Sequence, residues 1–481
     1  MSRSSSVRRS HLVAIYMLGV GMAVMVLGLI VDARYPWLWA YLLDQVHPQD
    51  AQAAATGPTH ILFTFVDHFE PHDQPTMDRW VADYPALAVR HHDADGKHPQ
   101  HSWFWFFSQS GERQSLRFLQ QLGRLSYEGF GEVELHLHHH ADTEASFLAH
   151  ITRMIQLSKW TGAMVSAEPH PRTVFGFIHG MWALDNSRDP KTGGDCGIND
   201  ELIQLRRLGC YADFTHPSWG RMHPRIVNRL YYATDDPRKP KSYDTGTLMR
   251  VGSPATGDLL IFEGPSVVRF RGLRPAYDHG DVTMEERPTA QRIDDWIHAG
   301  IHVQGRPEWV FVKVFTHGAI AQDREAVLGQ WAEQMYDDLE RRYNDGQRYV
   351  LHYVTAREAY NIAKAAEAGK RGDPNSYRDF IVPHYASHLL TASVPYELVT
   401  VDANRLVARF LTLPGTPVSV QLRARDVRAI GDAADVISTS SPDDTRVTFV
   451  TSGEGLVELS FVPQPSAVSS SAPAPEQSHG A

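Results

Sequence analysis

Between His60 and about Gly369, short apolar runs alternate with stretches in which apolar residues recur every three to four positions. That alternation predicts strands and helices in turn. The runs 60–66, 102–107 (SWFWFF), 132–138, 173–178 (TVFGFI), 210–214 (CYADF), 309–315 (WVFVKVF) and 348–353 (RYVLHY) predict seven strands. The stretches 114–123, 143–160, 199–208, 288–301, 323–344 and 355–369 predict helices, with Asp142 capping the second and Gly209 ending the third. Strand followed by helix, repeated, is the order of an α/β protein with a largely parallel sheet or barrel. Residues 215–285 break the rhythm with Pro- and Gly-rich loops and one expected hairpin, TLMRVG to DLLIFEG, as an insertion over one end of the barrel. From about Tyr377 to Phe461 the period changes to two, in runs such as RLVARFL and VSVQLRA separated by Pro, Gly and Asp. A small all-β domain of sandwich type over 377–462 is expected there.

The two ends of the chain differ from this middle. Arg3, Arg8 and Arg9 precede LVAIYMLGVGMAVMVLGLIV, an apolar run of about 20 residues, long enough to cross a bilayer. Asp32-Ala33-Arg34-Tyr35 is no small-residue cleavage site. The expectation is a cytoplasmic N-terminus (1–10), a transmembrane signal anchor (11–31), and a juxtamembrane stalk (32–57) whose Tyr35, Trp37, Trp39 and Tyr41 suit the headgroup zone. Membrane attachment through that helix would leave the rest periplasmic or extracellular. The Pro-, Ser- and Ala-rich segment 463–481 should be disordered. A formal charge of -10 and the lack of a basic stripe exclude nucleic acid as a partner. Cys196 and Cys210 are the only cysteines. They could pair in a disulfide, or Cys210 could be a small buried residue opening a strand.

The chemistry gathers at strand ends. Glu132 to Thr143, reading EVELHLHHHADT, holds four of the chain's 26 histidines. Side chains alternate along a strand, so His136 and His138 point one way, while His140 lies where the chain leaves for a helix. Upstream, HILFTFVDHFEP ends in Asp67, His68 and Glu70. Two strand ends delivering a carboxylate and two histidines can hold a divalent metal, zinc above all, with a position left for water. His317 closes the apolar strand VKVFTHGA, and HGMWALDNS carries His179 and Trp182, which could line a sugar subsite. Asp213, near the end of its strand, could orient a histidine.

An acid on the first strand, H-x-x-x-H on the third and a histidine late in the chain resemble the polysaccharide deacetylases of NodB-homology type, carbohydrate esterase family 4. The resemblance covers roughly residues 58–370 and implies a distorted (β/α)7 barrel that removes acetyl groups from polysaccharide amino sugars with a divalent metal. The family's TFDD falls on Thr64-Phe65-Val66-Asp67 and its H-[ST]-x-x-H on His136 to His140. The implied ligands are therefore Asp67, His136 and His140, with His317 as general acid. The phrases D-H-F-E-P, E-L-H-L-H-H and H-G-x-W-A-L-D-N-S are similar to those of a divergent exported subgroup.

The departures are informative. Val66 stands where the family places its general base, so His68 or Glu70 would have to serve. His179 replaces the arginine of the third motif. The implied activity is deacetylation of an envelope or extracellular polysaccharide. The rivals are a catalytically inactive glycan-binding or polysaccharide-assembly protein on the same fold, and a glycoside hydrolase using Asp67 or Glu70 with a second carboxylate.

Overall fold

A computed structural model describes residues 22, 25, 26, 28, 34–46, 57–106, 112–188, 196–218, 220–271, 274–431, 433–451 and 455–463. The expected cytoplasmic segment 1–10, nearly all of the expected anchor 11–31, and the expected tail beyond Pro463 lie outside them. Among the described residues no helix is long and apolar enough to cross a membrane. The membrane anchor, and the periplasmic or extracellular placement deduced from it, are corrected on that finding. Part of the expected stalk forms a helix, α1 (Leu38–Val46). Trp37 and Tyr41 are buried beside Val227, with the Trp37 ring 4.5 Å from that of Tyr277. Their aromatic faces therefore pack on protein, and only Tyr35 and Trp39 remain exposed.

The described residues divide into two units: one runs to His388 without Glu168–Pro171, the other holds Glu168–Pro171 and the chain from Leu389. In the first, all seven expected strands form: β1 (Thr59–Phe69), β2 (His101–Phe106), β3 (Gly131–Leu137), β4 (Phe175–His179) and β5 (Cys210–Asp213), with two late strands. Between β5 and those late strands come β6 (Leu230–Ala233), β7 (Gly246–Leu248), β8 (Leu259–Phe262), β9 (Val267–Arg271) and β10 (Arg274–Asp278). The late strands are β11 (Trp309–Thr316) and β12 (Tyr349–Tyr353). The main sheet runs β11-β1-β2-β3-β4-β5-β8-β6-β7, parallel from β11 to β8. Residues 59–63 of β1 also pair with β12. The result is a barrel-like α/β unit. Lys313 of β11 donates its ammonium to the carbonyls of Phe214 and His216, which follow β5. One side chain thus reaches across where no ladder between β8 and β11 is found among the described residues.

Helices α2 (Gln74–Ala88), α3 (Glu112–Tyr127), α4 (Glu144–Ser158), α5 (Glu201–Arg207), α6 (Ala290–His298), α7 (Arg324–Val327), α8 (Gln330–Tyr343) and α9 (Ala356–Glu367) complete the unit. Strand alternation sorts the β1 side chains into two layers. Ile61, Phe63, Phe65 and Phe69 pack outward with Trp80 and Tyr84 of α2, while Leu62 and Val66 pack inward with Phe104, Ile178, Phe262, Phe311 and α9.

Several expectations change here. Helix α2 was not foreseen, because Pro85 inside it reads as a breaker; Asp73 caps it and Pro75 sits in its first turn. Thr143, not Asp142, caps α4, in a reciprocal box with Ser146. The expected hairpin is not one: β7 and β8 flank β6 from either side. Segment 215–285 does not simply lie over a barrel end, since β8 extends the sheet in parallel from β5. Cys196 and Cys210 are both buried and free, so no disulfide forms. Residues 377–388 belong to the first unit, where Arg378 bonds Glu358 and the Tyr353 carbonyl.

The second unit is two antiparallel four-stranded sheets. One holds β13 (Leu390–Ala392), β16 (Pro417–Leu422), β18 (Ala433–Ser440) and β19 (Thr445–Thr451); the other holds β14 (Tyr396–Asp402), β15 (Arg405–Thr412), β17 (Val427–Gly431) and β20 (Gly455–Pro463). Leu390, Val420 and Phe449 from one sheet and Phe410, Leu459 and Phe461 from the other share one core. Both inner faces follow the period-two pattern of the sequence.

Candidate functional site

The inner-face positions that follow Leu62, Thr64 and Val66 along β1 are His68 and Glu70. On β3 the same parity selects His136 and His138. The parallel pairing of β1 with β2 and of β2 with β3 brings these ends together at the carboxyl end of the sheet, where α/β folds place their ligands. Glu70 Oε1 lies 3.3 Å from His136 Nε2 and 3.1 Å from His138 Nε2. His136 Nδ1 is 2.8 Å from the Ile178 carbonyl, which can only accept, so Nδ1 carries the proton and the Nε2 lone pair faces Glu70.

Around this group stand two more histidines and a tryptophan. The His68 ring is 4.9 Å from that of His136 and 4.5 Å from that of His317. Trp182 lies 5.9 Å from His68 and 5.7 Å from His317. Phe106 closes the side beside His138 at 5.2 Å. The site is open at its rim only: the side chains of His138 and Glu70 are 32% and 25% exposed and that of His136 is at 0%. Gly180 permits the approach, because a Cβ there would lie 2.5 Å from Cγ of His138. Beyond it, Met181, Trp182, Asp185 and Asn186 all take φ between 50° and 58°, a left-handed run that non-glycine residues adopt at a cost.

Burial lowers the pKa of His68, with His317 and His136 adding to it, and burial likewise lowers those of His136 and His317. All three imidazoles are therefore neutral near pH 7. Burial alone would raise the Glu70 carboxyl, but the neighbouring His136 and His138 outweigh it and hold it well below the usual carboxylate range. A carboxylate and two imidazoles on converging atoms match the donor set of a divalent site built from two histidines and one acid.

The expected ligand set Asp67, His136 and His140 is not brought together. Asp67 has the parity of Phe65 and Phe69, so it faces the helices; it accepts the Gly318 amide at 2.7 Å and His101 Nε2 at 3.0 Å. His140 is exposed and stands beyond the end of β3. His179, expected to touch sugar, is fully buried on the outer face beside His139 and Glu201. Asp213 orients no histidine ring: it bonds Thr215, whose hydroxyl accepts the His179 backbone amide. Burial pushes Asp213 up to about 7, against the Thr215 bonds. His68, Glu70, His136, His317 and Trp182 do converge. His138 was read as sharing a face with His136 but given no role, and strand parity was the signal for it.

No protein-family model and no curated protein matches the chain. Among solved structures, endo-glycoceramidase II from Rhodococcus sp. as its lactosyl-enzyme intermediate aligns at 12% identity and a TM-score of 0.20, over 84% of this chain and 97% of that one. The same enzyme with a cellobiose-like isofagomine aligns at 11% identity and a TM-score of 0.19, over 85% and 98%. Scores this low do not establish a common fold.

Proposed function

We propose that the first unit is a metal-dependent hydrolase that removes acetyl groups from the amino sugars of a polysaccharide, on a distorted (β/α)7 barrel of the NodB type. The observation that carries this reading is the convergence of Glu70, His136 and His138 beside His68, His317 and Trp182 at the strand ends. Glu70 Oε1, His136 Nε2 and His138 Nε2 would hold a divalent ion, zinc suiting them best. When bound, such an ion supplies a water that ionises near neutral pH and polarises the scissile carbonyl.

The chain's own groups then divide the work. Since burial leaves both His68 and His317 neutral, neither brings a proton to the reaction. One histidine must take the proton of the attacking water and return it to the leaving amine. His317 is the less buried of the two, and we assign it that shuttle. Trp182, half-buried with its ring beside both histidines, offers a face for a sugar ring. Val66 cannot accept a proton where the resembled family has its carboxylate, so that role falls to His317 in this reading.

Two alternatives fare less well. A glycoside hydrolase needs an acid with a raised pKa near a second carboxylate, whereas Glu70 is the single carboxylate in this group and is held ionised. An inert binding protein has no need of converging lone pairs. The test is acetate release from acetylated amino-sugar oligomers by zinc-loaded protein, with reducing ends measured in parallel. Acetate that disappears in His136→Ala supports the reading. Reducing ends without acetate, or neither product, overturns it.

A further inference from the structure

A second histidine group lies on the opposite face of the same strand ends. We infer that His139, His179 and Glu201 form a separate divalent-metal site, closed to solvent and structural in role. His179 Nε2 is 3.4 Å and His139 Nε2 is 3.9 Å from Glu201 Oε1. Two ligands on a tetrahedral zinc are about 3.3 Å apart, given bonds of about 2.0–2.1 Å, and the three ligand atoms here lie within 4.8 Å of one another, so the set would close slightly around an ion.

The hydrogen bonding has the polarity a metal site requires. The three facing atoms, His139 Nε2, His179 Nε2 and Glu201 Oε1, have no hydrogen-bond partner. On their far sides His179 Nδ1 and Glu201 Oε2 are hydrogen-bonded, and His139 Nδ1 lies against a carboxylate. His139 Nδ1 abuts the Asp142 carboxylate, His179 Nδ1 faces the Gly180 carbonyl, and Glu201 Oε2 accepts the Asp185 amide at 3.0 Å. Outer partners of this kind fix the tautomer and orientation of ligating side chains. Three side chains at 0% exposure that aim unpaired polar atoms at one another are costly unless something lies between them.

The chemistry and access differ from those of the first group. Two imidazoles and one carboxylate suit zinc and its neighbours among the transition ions over magnesium or calcium. Gly197, at φ +91°, comes so close that a Cβ would lie 2.5 Å from Glu201 Oε2 and 3.2 Å from His179 Nε2. The Cys196 thiol is taken by the His139 carbonyl, 2.9 Å away, so it is not offered as a ligand. An ion here would tie the exit of β3 to the end of β4 and to α5. Those are the segments that also carry His138 and Trp182.

The test uses the full chain, refolded with Zn2+ or Co2+ because the site is closed, and metal is counted by plasma mass spectrometry. The variant Glu70→Gln/His136→Ala/His138→Ala should retain one equivalent. Adding Glu201→Gln should remove it, together with the visible band of the Co2+ form. The triple variant refolded with Zn2+ should also melt several degrees higher than when refolded with chelator, a measurement that does not depend on the Glu201 variant folding. A folded triple variant that binds neither ion, metal that survives Glu201→Gln, or equal melting with and without zinc overturns the inference. The two sites fail separately. One equivalent in the wild type that persists in the triple variant supports the buried site and removes the metal from the proposed catalytic group; one that vanishes in the triple variant does the reverse.

Discussion

The two ends of β3 carry the same inner-face pattern of buried polar residues and use it differently. At the amino end, Glu132 bonds Arg357 at 2.8 Å, His388 at 3.0 Å and the Thr355 hydroxyl. Glu134 takes the hydroxyls of Tyr211 and Tyr385 at 2.8 and 2.9 Å and the Gly176 amide. At the carboxyl end, His136 and His138 share a single carboxylate oxygen, and His68 Nε2 beside them has no partner. The pKa pattern alone would mislead. Burial and the neighbouring Glu132 push Glu134 up to about 8, while against burial the Arg357 guanidinium, His388 and Thr355 together hold Glu132 low, a split that resembles an acid–base pair. Complete satisfaction and lack of access mark those carboxyls as structural. The incomplete, half-open group is the one left with chemistry to do.

Each end of the comparison can be broken separately. The largest effect is expected from His136→Ala/His138→Ala: deacetylation falls to background and the metal of that site is lost, with circular dichroism unchanged. His317→Ala should lower kcat by about 100- to 10,000-fold with metal retained. In the wild type the acid limb of the rate profile should lie below the usual histidine value of about 6.5, because burial lowers the pKa of the shuttle and the rate needs it neutral. A limb well above that value removes His317 from the role. At the other end, Arg357→Ala strands the Glu132 charge and should cost about 3–5 kcal/mol in denaturant unfolding, with metal content unchanged.

The smallest effect concerns pH. Glu134 is protonated in the folded state up to about 8, but in the unfolded chain only to about 4.3. Between those values the native state binds more protons, so stability falls as pH rises through the window. Glu134→Gln keeps the size and the tyrosine partners of the neutral acid. It should make the decline shallower by at most one proton, about 1.4 kcal/mol per pH unit, and an unchanged slope shows that Glu134 does not titrate there.

The same parity explains what could be read from the sequence. The strands were legible because most are short apolar runs buried on both faces, and in β3 apolar Val133, Leu135 and Leu137 alternate with the polar inner face. Helix α2 was hidden by Pro85, and β6 by its short length inside a loop-rich segment. At the site, alternation along EVELHLHHH paired His136 with His138, and the structure has them side by side. Motif alignment substituted His140 and Asp67, and both conflict with local geometry. Asp67 shares parity with Phe65 and Phe69, which the helices cover, and His140 falls beyond the strand. The partnership of His139, His179 and Glu201 crosses three elements that no spacing rule connects. The anchoring of Trp37 on Tyr277 was equally hidden, because an aromatic row suits a lipid interface and a protein groove alike.

The reading frame of β3 has a consequence for inheritance. His136 and His138 occupy one phase of the strand, and His139 follows in the other, leading toward Glu201. Deleting a single codon between Gly131 and Leu137 would move every later side chain to the opposite face. Both histidine groups would be lost in one event, so no intermediate could keep one while changing the other by that route. The segment can accept substitutions one position at a time, but its length is under a constraint that both groups impose.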